Sequence, residues 1–113
     1  MSTSLTPSEL GVQKARADID VGKLRMYFGI PSRAHWAPDL STTMMQRLGV
    51  DVVFVGDLVN GAELDFHRAY NATVEAFLDG QYGSDAVKRV WAEVQKRREE
   101  SHESWLRENA PRK

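Results

Sequence analysis

The sequence contains no cysteine and only four prolines. Without cysteine the chain has neither a disulfide framework nor a thiolate metal site. It also lacks an apolar run of the roughly 20 residues that cross a membrane, and its first ten residues lack the basic and apolar regions of a secretory signal. We therefore expect a cytoplasmic protein that does not engage a membrane and folds around one apolar core.

A strong excess of one charge is also missing, since the net charge is −1, but the charges are unevenly spread. Residues 39–83 hold two basic and seven acidic side chains, whereas residues 84–113 hold eight basic and six acidic ones. Affinity for nucleic acid comes largely from neutralising phosphates. The acidic middle therefore argues against a phosphate-binding surface there, and leaves the C-terminal segment as the one plausible basic contact.

Several local patterns predict helix. Residues 6–9 (TPSE) form a capping box with proline at the first helical position, so a helix should begin there. An amphipathic pattern predicts a further helix from Asn60-Gly61 to about Asp79-Gly80, and Ser84 is expected to cap a long helix that follows. We expect a mainly α protein with frayed residues 1–5, a single helical domain over 6–108 that ends in a helix over 85–108, and a disordered tail over 109–113.

The stretch Ser41–Gly61 contains the densest apolar run of the chain and fits two incompatible structures. The β-branched and aromatic residues from Val50 to Val55 predict a buried strand after a helix over Ser41–Leu48. In residues Lys23–Ile30 apolar residues alternate with other residues, which also suits a half-buried strand, so the fold could be α/β with one β-α-β unit. A two-stranded parallel sheet needs cover on both faces, so this alternative requires a partner chain to complete it.

The second structure is two helices joined by a turn at Gly49. The residues RLGV, the apolar Val55 and Leu58 and the stop at Asn60-Gly61 resemble the helix-turn-helix of phage repressors, over about 21 of the 113 residues. The resemblance implies a DNA-binding regulator. Residues 49–61 contain no basic side chain, so phosphate contacts would depend on the last helix. The candidate nucleic-acid-binding residues are Lys96, Arg97 and Arg98.

The expected C-terminal helix differs between its two halves. Its first half has an apolar stripe, but Gln95–Ser104 contains no apolar residue. Trp105 and Leu106 follow this polar stretch, with little of the chain's own core within reach, so we expect them to contact another chain. The predicted partner-binding residues are Phe54, Trp91, Trp105 and Leu106.

No set of nucleophile, base and acid, and no phosphate-binding glycine loop, can be identified from the sequence. Glu99 and His102 have the Glu-x-x-His spacing of di-iron helical bundles, but those sites need the pair twice, so we expect neither a metal nor a cofactor. The leading hypothesis is a non-catalytic protein-interaction module, an accessory subunit or regulator that binds a protein partner or forms a homo-oligomer. The alternatives are a helix-turn-helix DNA-binding transcriptional regulator and a small subunit of an enzyme complex.

Overall fold

The computed structural model describes residues 4–29, 37–55 and 60–110. Within these ranges the chain is mainly helical, and the expected fold class is confirmed. The elements are, in order, α1 (Pro7–Asp20), β1 (Arg25–Phe28), α2 (Ala37–Leu48), β2 (Asp51–Phe54), α3 (Gly61–Tyr82) and α4 (Ala86–Asn109). None of the helices in the described ranges has both the length and the apolar character needed to span a bilayer.

Helix α1 begins as its sequence predicts. The Thr6 hydroxyl accepts a hydrogen bond from the amide of Glu9 at 3.1 Å, and the Glu9 carboxylate accepts one from the Thr6 amide at 3.3 Å. Helix α3 is capped by Asn60, whose side-chain oxygen accepts from the amide of Glu63 at 2.8 Å. Both starts depend on contacts within four residues, so they can be predicted from local sequence.

The predicted cap of α4 at Ser84 is wrong. The residue before α4 is Asp85, which lies in the left-handed region at φ 60° and makes no side-chain cap bond. The carboxylate of Asp79, near the end of α3, instead accepts from the amide of Ala86 at 3.2 Å. Helix α3 continues to Tyr82, past its predicted end, so α3 itself supplies the acceptor for the start of α4.

The strand alternative is correct for the apolar run of the middle segment. Strands β1 and β2 pair in parallel, from Arg25 opposite Asp51 to Phe28 opposite Phe54, and α2 connects them. The second helix of a helix-turn-helix is therefore not formed over Asp51–Phe54, and Leu58 lies outside the described residues. The strand register places Val52 beside Met26, and both side chains lie in the core. This pairing between distant parts of the chain favours a strand over a helix.

The core lies between the sheet and the helices. Its largest fully buried side chains are Tyr70, Met26, Leu40, Met44, Leu78, Val50, Val74 and Val94. Helix α1 covers the side of α3 at Gly11, which is buried and leaves no room for a side chain, since a Cβ atom there would overlap the carbonyl oxygen of Phe66. The backbones of the two helices therefore approach each other closely at this position.

A buried polar contact fixes the far end of α1. The Tyr70 hydroxyl donates to Oδ2 of Asp18 at 2.5 Å, and Lys14 Nζ lies 3.3 Å from Oδ1. The hydrogen bond from Tyr70 is the main reason that the pKa of Asp18 is lowered. Burial in turn raises the pKa of Tyr70. The pair supplies a buried carboxylate with the donors it needs, which orients α1 on α3.

Candidate protein-interaction surface

The first half of α4 is anchored to the body of the protein. Ala86, Val90 and Val94 are buried on one stripe of the helix, and Trp91 packs against the core while staying partly exposed. This is the apolar stripe that the sequence predicts for the first half. The burial of this stripe fixes the position of the helix axis, and therefore also that of the second half of α4.

A polar clamp formed by Arg97, Asp39 and Thr43 ends this anchored half. Arg97 donates from Nη2 and Nε to the two carboxylate oxygens of Asp39, at 2.9 and 3.1 Å, and from Nη2 to the Thr43 hydroxyl at 2.5 Å. These bonds from Arg97 are the main reason that the pKa of Asp39 is lowered. A second ion pair joins Arg47 of α2 to Glu93 at 2.8 Å. A planar guanidinium that binds a carboxylate at two points fixes the orientation of the two groups as well as their distance. The clamp therefore sets the direction of the end of α4.

Beyond the clamp, residues 98–110 form an arm in which every residue is exposed. Trp105 exposes 57 % of its surface and Leu106 47 %. The radius of gyration is 17.5 Å, against about 13 Å for a compact domain of this length. The long axis of 77 Å agrees with a helix that projects from the body. The exposure of both side chains matches the prediction from the polar stretch before them.

Trp105 lies on the continuation of the buried stripe. It follows Val94 by eleven positions, which is about three helical turns, so both side chains point to nearly the same side of α4. On that side an open concavity extends between the arm and the first turn of α2. Its lining includes Asp39, Gln95, Arg97, Arg98, His102 and Trp105. The face of α4 that packs on the body therefore continues beyond the body to Trp105. None of the described residues buries this side chain.

The other predicted site residues lie elsewhere or have other contacts. Phe54 and Trp91 are partly buried and pack against the protein's own core, so the structure does not group them with Trp105. Lys96 is exposed and Arg98 lines the concavity. Arg97, proposed as a phosphate contact, is bound to Asp39 instead.

The clamp is not among the features that the sequence predicts. Asp39 and Thr43 are four apart at the start of α2, and the Thr43 hydroxyl lies 3.2 Å from Asp39 Oδ1. That spacing is compatible with a polar pair on one helix face, but nothing local connects it to Arg97, 58 residues later. Only the folded arrangement of α2 against α4 brings the three together.

The described residues offer no group of three or more histidine, aspartate or glutamate side chains that could hold a metal ion. Glu99 and His102, the pair with di-iron spacing, are both exposed on the arm. Comparison with known proteins finds no matching family model, no similar curated protein and no similar solved structure. The interpretation of the arm therefore rests on its own physical chemistry.

Proposed function

We propose that this protein is a non-catalytic interaction module that binds another protein through the arm of α4. The observation that carries the proposal is the exposure of Trp105 and Leu106 at the end of a projecting helix. Large apolar side chains that stand together on a surface mark interaction sites. Tryptophan in particular is enriched among the residues that dominate binding energy.

The surroundings of the two side chains fit a contact surface. Charged residues flank them on the same helix, among them Glu99, Glu103, Arg107 and Glu108, all exposed. An apolar centre with a polar rim is the usual anatomy of a protein interface. The clamp adds pre-organisation, because a helix already fixed to the body loses less conformational entropy when a partner binds.

The exposed apolar surface of Trp105 and Leu106 supplies part of the energy of a specific complex. Removing the exposed parts of Trp105 and Leu106 from water would contribute about 3 to 5 kcal/mol before the costs of association are subtracted. Two side chains alone do not make a stable interface. They would form the centre of a larger contact that includes the rim and the concavity beside the arm.

Site-directed photo-crosslinking tests the proposal directly. A photoreactive amino acid replaces Trp105 in one variant and Tyr82 in a matched control, since Tyr82 is an aromatic residue of similar exposure, 48 %, outside the arm. We expect irradiation of cells to give a defined adduct with a second protein from position 105 and none from position 82. Adducts absent from both positions, or equal at both, would contradict the proposal.

Substitution separates binding from folding. Trp105→Ala should weaken the complex found by cross-linking about tenfold or more, while the melting temperature of the isolated protein changes by less than about 2 °C, because the side chain has few contacts to lose. Leu106→Ala tests the second exposed side chain of the arm in the same way. Leu10→Ala is its matched control, because Leu10 is a leucine of similar exposure, 45 %, on α1. A large fall in melting temperature for Trp105→Ala would show that the indole supports the fold.

A further inference from the structure

Each strand faces the other strand along one edge and has a second, outer edge. The hydrogen bonds between the strands show which backbone groups point to which edge. The amide of Asp51 donates to the carbonyl of Leu24, and that of Val55 to the carbonyl of Phe28, both at 2.9 Å. Odd-numbered residues of β2 therefore face β1. Backbone groups alternate in direction along a strand, so those of Val52 and Phe54 point to the outer edge of β2.

The outer edge of β1 is closed at Tyr27 by a side chain. The Asn71 amide group on α3 accepts from the Tyr27 amide at 2.9 Å and donates to the Tyr27 carbonyl at 2.7 Å. One carboxamide thus supplies both bonds that a neighbouring strand would make at Tyr27. Growth of the sheet on this side is blocked by α3 itself.

The described residues provide no such closure at the outer edge of β2. Among residues 4–29, 37–55 and 60–110, none forms a hydrogen bond with the outward backbone groups of Val52 or Phe54. An open edge of this kind is a template for pairing with another chain. A sheet of only two parallel strands is marginal by itself. In the described part of the chain this sheet has one edge closed at Tyr27 and one edge suited to extension.

We infer that β2 pairs antiparallel with β2 of a second copy of this chain, about a two-fold axis at Val53. In this register Val52 lies opposite Phe54 of the second copy, and the reverse pair follows by symmetry. Outward groups then meet outward groups, and each of the two pairs exchanges two backbone hydrogen bonds. The product is a four-stranded sheet with one β1 at each outer edge, where Asn71 ends it. This surface is separate from the arm, and the inference is independent of the function proposed for the arm.

The charges of β2 favour a second copy as the occupant. Asp51 is the one charged residue of the strand, and the two-fold register places it opposite Val55 of the second copy, with Val53 opposite itself. No like charges face each other in this arrangement, and like charges directly opposite would oppose pairing. The strand is therefore complementary to itself in hydrogen bonding, pairs apolar side chains with each other over residues 52–54, and brings no like charges together.

A charge-placement experiment tests the register as well as the association. Sedimentation equilibrium of the full chain should show a monomer–dimer equilibrium for the wild type. Val55→Asp places carboxylates opposite each other twice in the dimer, so we expect the dissociation constant to rise about tenfold at low salt, with a smaller rise at high salt. Adding Asp51→Lys to Val55→Asp creates two opposite-charge pairs and should restore dimerisation.

The double variant also guards against misfolding as an explanation, because it keeps Val55→Asp and should still dimerise. Trp105→Ala should leave the dimer unchanged, so a failure here is distinguishable from a failure of the arm. A wild type that sediments as a monomer at all concentrations would overturn the inference. An unchanged dissociation constant for Val55→Asp, or no recovery in the folded double variant, would equally overturn it.

Discussion

Gly11→Ala tests the contact between α1 and α3 most sharply. The added methyl group would overlap the carbonyl oxygen of Phe66, and it would also lie 3.1 Å from the amide nitrogen of Tyr70 and 3.2 Å from the Ala69 Cβ. Two of these three atoms belong to the backbone of α3 and cannot rotate away. Helix α1 must therefore move outward, which loosens the packing of Ala15 beside it.

The expected cost is the difference between two opposing effects. Replacing glycine by alanine inside a helix stabilises it by about 0.5 to 1 kcal/mol, whereas overfilling a packed contact costs about 1 to 3 kcal/mol. We expect Gly11→Ala to lower the free energy of unfolding by about 1 to 2 kcal/mol. Gly80→Ala is the matched control, because Gly80 lies in α3 and a Cβ atom added there would meet no other atom within 4 Å. It should raise the free energy of unfolding by about 0.5 to 1 kcal/mol.

Urea unfolding followed by circular dichroism gives the free energy of unfolding of both variants and of the wild type. At roughly 4 °C per kcal/mol for a domain of this size, the melting temperature should fall for Gly11→Ala and rise for Gly80→Ala. The difference between the variants isolates the contact, since the helical preference and the effect on the unfolded chain are shared. A Gly11→Ala variant as stable as Gly80→Ala would refute the close approach of α1 to α3.

Two further predictions concern hydrogen bonds between side chains of α3 and other elements. Asn71→Leu leaves the Tyr27 amide and carbonyl without partners, so the free energy of unfolding should fall by about 2 kcal/mol in urea; Asn109→Leu, at an exposed helix end, is the control, and equal effects would contradict the edge closure. Tyr70→Phe should cost about 1 to 3 kcal/mol at neutral pH. Because the Tyr70 bond lowers the pKa of Asp18 in the folded state, this stabilisation is present above the ordinary pKa of about 4 and disappears as pH falls through the lowered value. The wild type should therefore lose stability below a pH of about 4 more steeply than Tyr70→Phe, and parallel pH profiles would argue against the contact.

Parts of the fold could be predicted because their causes are local. Thr6 and Glu9 satisfy each other's backbone amides within one turn, and the Asn60 side chain accepts from the Glu63 amide at the start of α3. Such motifs carry their full explanation in adjacent residues. The start of α4 differs, because its acceptor is Asp79, seven residues before Ala86 and across a turn. A polar residue next to a helix, such as Ser84, is then a poor guide to the actual cap.

The run from Val50 to Val55 shows why the middle of the chain was ambiguous. A short apolar run fits both a strand and a buried helix, and its own periodicity does not decide between them. The decision comes from pairing with β1, which is 26 residues away in the register from Arg25 to Asp51. Tertiary contacts of this kind override local preference, so a pattern search limited to Ser41–Gly61 could not have resolved it.

The candidate surface was predictable in one respect and unpredictable in another. Ten polar residues before Trp105 already indicate that the end of α4 leaves the core, and the exposure of Trp105 and Leu106 agrees with that. Their role in binding stays a prediction. Phe54 and Trp91 have the same chemical character, but they lie close enough to the core to pack on it. Distance from the body, which the sequence does not specify, separates the two groups.

Arg97 illustrates how far charge alone can be interpreted. From the sequence alone, Arg97 in the run from Lys96 to Arg98 cannot be distinguished from a phosphate-binding residue. In the folded protein it forms an ion pair with Asp39. Side chains as exposed as these hold such a pair with less than about 1 kcal/mol of net stability, so its main effect is on the direction of the arm. Reversing all three charges would therefore move the arm as well as change its charge. Lys96→Glu, which leaves the clamp intact, is the variant that tests charge at this surface without displacing Trp105.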